Sequence, residues 1–133
     1  MPKSIRAGAT PDDDLWEFPA KAERAIDGDT LDLLIDQGMH GYRRERFRLL
    51  AIDTPELRGE DRALGLAAKG FVIAWIDYAN TYPGEWPLFV QTMKADVFGR
   101  YLAHVWRRVD WGNLSDALIA AGYAKAEVLG VTE

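Results

Sequence analysis

The feature that most constrains this 133-residue chain is a run of alternation between Thr30 and Asp36, broken only by Leu34. Leu31, Leu33 and Ile35 share one parity, while Thr30, Asp32 and Asp36 share the other. That is the period of a strand with one face buried and one face wet. Turn chemistry bounds the run on both sides, with Asp27-Gly28 before it and Gln37-Gly38-Met39-His40-Gly41 after it. The flanking segments suit strands as well: Leu15 to Ile26, with Pro19 near an edge or bend, and Tyr42 to Ile52. The opening half of the chain therefore predicts a three-strand meander.

The pattern then changes period. From Asp61 to about Asn80, Leu64, Ala67, Ala68, Phe71, Val72, Trp75 and Ile76 recur at helical spacing, and Tyr82-Pro83-Gly84 closes the segment. Leu88 to Met93 and Tyr101 to Val109 read as a second strand pair. Asn113 is placed to cap a short helix with Asp116 at its third position, and Gly122 supplies a stop. Tyr123 to Val128 reads as a last short strand. Strands closing around one long helix predict a small, partly open β-barrel.

Residues 1–14 lack periodicity, cluster Gly, Pro and Asp, and are expected to form a flexible tail ahead of a single domain over 15–133. This polar segment has no apolar h-region, so it is not read as a signal peptide and the default expectation is a cytoplasmic protein. The longest nearly apolar run, Leu64 to Ile76, is too short to span a bilayer, so no membrane partner is expected. A monomer is the default oligomeric expectation. The absence of cysteine excludes disulfides and thiolate metal sites. The net charge of −5 argues against tight non-specific binding to nucleic acid, which favours a basic surface. Six arginines between Arg43 and Arg62 nevertheless leave room for a local positive patch.

Within this frame lies a charged constellation. Arg48-Leu49-Leu50-Ala51-Ile52-Asp53-Thr54-Pro55-Glu56 sets a cation before an apolar strand and two carboxylates after it. Carboxylates hold a hard cation and arginine grips a phosphate bidentately, so the pattern suits a metal–phosphate site. Asp27-Gly28-Asp29-Thr30 lies upstream and Asp96-Val97-Phe98-Gly99-Arg100 downstream. Taken together and in order, the three blocks resemble the staphylococcal-nuclease (thermonuclease-like) family over about residues 16 to 127.

The resemblance implies an α+β fold, a five-stranded OB-type barrel with helices packed on it. It implies a metal-dependent nuclease, with calcium as the cation, hydrolysing phosphodiester bonds of DNA or RNA. By the same resemblance Asp29, Asp53 and the Thr54 carbonyl are the metal ligands, and Asp27 supports the rim of that site. Glu56 is implied to hold or deprotonate the attacking water, and Arg48 and Arg100 to clamp the scissile phosphate. Neither histidine suits the role of general base, because His40 falls in a turn and His104 lies roughly 13 Å along the strand from Arg100.

Each block also has a plainer reading. Asp27-Gly28 alone is a turn, Thr54-Pro55-Glu56 a helix start, Arg43-Arg44-Glu45-Arg46 a solvated strand edge, and Gly99-Arg100 a turn with a surface cation. Turn chemistry, however, does not require these charges in this order. Arg48 and Asp53 have opposite strand parity, so a shared site requires the strand to end or bulge between Leu49 and Ile52. The chain also departs from the family. Val97 and Phe98 replace a lysine and a tyrosine that contact phosphate, Val128 and Gly130 stand where tyrosines pack on the nucleotide, and the chain stops at Glu133, with little room for the C-terminal helix of the best-known members. Weaker binding or altered preference is expected, with any stacking moved to an aromatic such as Tyr123 or Trp111. The alternative function is a non-catalytic OB-type module that binds single-stranded nucleic acid or a protein partner.

Overall fold

The inward-facing aliphatic residues of the meander find their partners in a closed barrel. The computed structural model describes residues 16–50, 52–53, 62–93 and 101–126, the side chains of Asp53 and Ala126 excepted. The expected tail over 1–14 lies outside the described residues, as do Thr54, Glu56, Val97, Phe98, Arg100, Val128 and Gly130. The elements are β1 (Glu17–Asp27), β2 (Thr30–Gly38), β3 (Gly41–Leu49), β4 (Ile52–Asp53), α1 (Arg62–Ala79), β5 (Leu88–Met93), β6 (Tyr101–Arg107), β7 (Gly112–Asn113), α2 (Leu114–Ala120) and β8 (Lys125–Ala126).

The main sheet runs β3-β2-β1-β5-β6-β7, and a parallel pairing of β3 with β6 joins its ends. Phe47 opposes Tyr101, Arg48 opposes Leu102 and Leu49 opposes Ala103 along that seam. Five strands, β1, β2, β3, β5 and β6, thus form a closed mixed barrel, where the sequence suggested a partly open one. Pro19 pairs with Phe89 of β5, and the pairing of β1 with β2 begins only at Ala20, so the missing N–H costs no ladder bond on the β2 side.

The alternating residues decide what is inside. Leu31, Leu33, Phe47, Leu49, Val90 and Val105 are buried in the barrel, joined by Val72 and Ile76 of α1 and Leu114 and Leu118 of α2. Each such side chain is worth about 2 kcal/mol of transfer free energy. The outer face of the meander carries Arg44–Glu23 and Arg46–Asp32 ion pairs at 2.9 and 2.8 Å. Exposed pairs of that kind contribute well under about 1 kcal/mol each, so the interior sets the register. The pairs also answer the question of a basic patch: Arg43, Arg44 and Arg46 each face a carboxylate.

The helix buries its expected face from Ala68 to Ile76 and departs from it at Leu64 and Ala67. Its buried stripe is Gly65, Ala68, Val72, Trp75, Ile76 and Ala79, whereas Leu64 is 58% exposed and Ala67 is also exposed. The stripe follows the i, i+3, i+7 row, and Leu64 falls beside that row. Across β6, Arg107 stacks on Trp75 and Tyr78 of α1. Among the described residues, no helix is long and apolar enough to cross a membrane.

The short C-terminal helix forms as its caps dictate. The Asn113 side chain accepts from the Asp116 amide at 3.0 Å. At the other end Gly122 has φ +82°, its amide donates to the Ile119 carbonyl, and the Tyr123 amide donates to the Leu118 carbonyl. That double bond is the Schellman arrangement, which turns the chain back toward β4. The returning segment, β8, pairs antiparallel with β4, with Ile52 opposite Ala126 and Asp53 opposite Lys125.

Candidate active site

Three pieces of backbone converge on Asp29. The tight β1–β2 turn presents Asp27 and Asp29, the end of β3 presents Arg48, and β4 lies just beyond. The Asp29 amide donates to the Asp27 carboxylate at 3.1 Å, which folds the turn locally. Thr30, only 3% exposed, donates its hydroxyl to Asp29 Oδ1 at 2.9 Å. The Leu49 amide donates to the Asp29 carbonyl at 2.8 Å, so the turn is bonded directly to the end of β3.

Arg48 then ties the turn to β4. One guanidinium nitrogen lies 3.7 Å from Asp29 Oδ2 and donates to the Ile52 carbonyl at 3.1 Å. Both charged side chains of this pair are 16% exposed. Strand parity required a break between Leu49 and Ile52, and β3 does end at Leu49 with β4 starting at Ile52. At the break the Leu50 amide donates to Ala103 of β6, and the Leu50 carbonyl accepts from buried Ser115 of α2 at 3.1 Å. Ser115 leaves no mark in the sequence pattern, because its hydroxyl acts on a carbonyl far back along the chain, whereas the Thr30 hydroxyl acts on the carboxylate of its neighbour Asp29.

Asp29 sits in an unfavourable electrostatic position. Burial raises its pKa to about 6, helped by a hydrogen bond with the Asp27 carboxyl and by the charge of Asp27, against the smaller lowering influences of Thr30 and Arg48. Two acidic side chains in a half-buried turn suit a divalent cation, which would supply the positive charge that the turn lacks. The donor set is hard oxygen, as calcium or magnesium requires. Among the described residues no group of three or more His, Cys, Asp or Glu side chains gathers at one point. Of the expected protein ligands, the side chain of Asp29 is described, Asp53 is placed by its backbone, and Thr54 lies outside the described residues.

The histidines stand apart. His40 occupies the β2–β3 turn, at the opposite end of β2 from Asp29, and His104 packs against Trp106 with ring centroids 5.7 Å apart. Tyr123 and Trp111 are engaged elsewhere too: Tyr123 packs on Phe71 of α1, and Trp111 meets Phe89 edge-on.

A closed five-stranded mixed barrel with two helices among the described residues, carrying an acidic β1–β2 turn beside an arginine, defines the OB-type α+β fold seen in staphylococcal-nuclease-like proteins. The family model described as "Staphylococcal nuclease homologue" matches residues 46–132, and the chain belongs to that family.

Proposed function

We propose that this protein is a calcium-dependent nuclease that hydrolyses phosphodiester bonds of DNA or RNA. The observation that carries the reading is the bridge made by Arg48, which joins the Asp29 carboxylate to the Ile52 carbonyl. That bridge gathers the β1–β2 turn, the end of β3 and the residue before Asp53 into one place. Family membership, matched over 46–132, supports the same chemistry.

In this reading Asp29, Asp53 and the Thr54 carbonyl would hold the cation, and Asp27 would support its rim. When bound, a divalent cation supplies Lewis-acid charge beside the phosphate and polarises water. Arg48 and Arg100 grip the phosphate oxygens and gain strength as negative charge builds in the transition state. Glu56 takes the proton of the attacking water. The water oxygen forms the new bond to phosphorus while the bond to the 5′-oxygen breaks, leaving a 3′-phosphate end and a 5′-oxygen that takes a proton from solvent to become a hydroxyl. Asp29 needs no proton-transfer role. Its carboxylate form is costly in the free protein, and cation binding favours that form.

The test is cleavage of labelled single-stranded DNA and RNA with calcium, with magnesium and with a chelator, with Glu56→Ala alongside. Cutting that requires calcium, stops with the chelator and drops at least about a hundredfold in the variant is the expected result. No cutting by a protein that still binds calcium would overturn the nuclease reading in favour of a binding module.

A further inference from the structure

Helix α1 is apolar on two sides. Its packed side, Gly65, Ala68, Val72, Trp75, Ile76 and Ala79, faces β1 and α2. The opposite side carries Ala63, Leu66, Ala67, Gly70, Ile73 and Ala74, all exposed, at the i, i+3, i+4 and i+7 spacing that sets residues on one stripe. Leu66 is 48% exposed and Ile73 45%. The stripe itself carries no charge between Arg62 and Asp77, and Lys69 lies off it at its flank. A helix apolar on both sides is ordinarily covered on both, so the outer side of α1 calls for a partner.

Three features of the stripe identify that partner. The first is Gly70. It lies at the midpoint of the 18-residue helix, where glycine is less stable than alanine, yet a Cβ there would meet nothing within 4 Å. The fold of one chain has no use for the missing side chain. A second backbone crossing close by does, because small residues at a crossing let helix axes approach to about 8 Å. The second feature is symmetry. Turned end for end about Gly70, the stripe presents Leu66 to Ala74 and Ala67 to Ile73, so each large side chain meets a small one. A surface complementary to itself is what a two-fold dimer requires. The third is charge. The first turn of α1 contains no acid and holds Arg62, while the last turn contains no base and holds Asp77. That order opposes the dipole of the helix itself. In an antiparallel pair it becomes favourable, since Asp77 comes beside the Arg62 end of the other helix.

We propose that the outer side of α1 docks a second copy of this chain, the two helices running antiparallel across a two-fold axis at Gly70. One helix of 18 residues, about 27 Å long at 1.5 Å per residue, is all that each chain contributes. Such an interface falls at the low end of specific ones, so the dimer dissociates in the micromolar range. The inference uses no residue of the candidate active site and stands apart from the nuclease reading.

The experiment is sedimentation equilibrium of the full chain from about 1 to about 500 μM, a range that brackets weak specific association. It is joined to cross-linking through single introduced cysteines, which the cysteine-free sequence allows. The mean mass is expected to rise toward twice that of one chain as concentration increases. Leu66→Lys alters an exposed side chain and should raise the dissociation constant at least about tenfold, with the melting temperature of the dilute protein unchanged. On oxidation Gly70→Cys should give a disulfide-linked dimer, because its two thiols meet at the axis. Asp77→Cys should not, because its two copies lie seven residues either side of the axis, about 20 Å apart. A chain that stays monomeric up to about 500 μM, the default expectation, overturns the proposal. So does association indifferent to Leu66→Lys, or cross-linking of Asp77→Cys in place of Gly70→Cys. Nuclear Overhauser contacts that set residues 1–15 or 127–133 on Leu66 and Ile73 also overturn it, in favour of the chain covering its own helix.

Discussion

Replacing Asp29 by asparagine should stabilise the metal-free protein while removing its metal response. Asp29 has its pKa raised from 3.8 to about 6, so the fold favours its protonated form. A group raised in this way contributes most to stability below pH 3.8, and that contribution is lost as pH rises through about 6. At pH 7.5 the penalty is complete. Two units at 1.36 kcal/mol each make it about 3 kcal/mol, an upper figure because the partner Asp27 readjusts. Asparagine keeps an acceptor for the Thr30 hydroxyl and gives Asp27 a donor, but it loses attraction to Arg48 at 3.7 Å. That pair is long, and its loss costs under about 1 kcal/mol. A net gain of about 1 to 2 kcal/mol is expected at pH 7.5.

Urea denaturation in chelator at pH 7.5 and pH 5 measures it, and the gain should shrink at pH 5, where wild-type Asp29 is largely protonated. Adding calcium should then reverse the order, since only the wild type gains RT ln(1 + [L]/Kd), about 2.7 kcal/mol at a hundred times Kd. An asparagine variant no more stable than wild type at pH 7.5 in chelator, or equally stabilised at both pH values, would refute the electrostatic account.

Arg48→Ala should lower kcat by about two to three orders of magnitude, and Arg48→Lys should restore little, because an ammonium cannot fork between a carboxylate and a phosphate. Steady-state cleavage kinetics at saturating calcium decide this, and a variant at wild-type rate removes Arg48 from the clamp. Ser115→Ala leaves the Leu50 carbonyl without its donor and should cost about 1 to 2 kcal/mol in denaturation while also weakening calcium binding, read by calorimetry. The β2–β3 loop holds Met39 and His40 at φ 54° and 59°, a left-handed pair that side chains resist. Met39→Asn with His40→Gly should therefore raise the melting temperature by a few degrees with unchanged cleavage, and a lower melting temperature would contradict that strain.

The meander was legible because its signals are local: alternation from Leu31 to Ile35, Asp27-Gly28 as a turn, and Asn113 with Gly122 at the ends of α2. The break after Leu49 followed from parity alone, since Arg48 and Asp53 could not otherwise share a side. Closure of the barrel was not legible, because the β3–β6 pairing joins residues some fifty positions apart by backbone bonds that leave no mark on side-chain pattern. The same distance hid Ser115, whose hydroxyl matters only through the Leu50 carbonyl. Leu64 was misplaced because a small stripe, Gly65 and Ala68, outcompetes a larger side chain beside it when a helix packs close.

The seam between β3 and β6 also carries a meaning in time. Its three parallel pairs link the meander to the second half of the chain, and forming them demands a long loop closure that local contacts do not help. Arg48 lies within that seam, and the Leu50 amide is bonded across it to Ala103. The seam is assembled when the two halves of the chain meet, and a nascent chain that has made only the meander carries Asp29 and Arg48 without the β6 contact across from Arg48. If the proposed nuclease reading holds, hydrogen exchange at the Leu50 amide and regain of cleavage on refolding should arrive together, closure of the barrel preceding any cut.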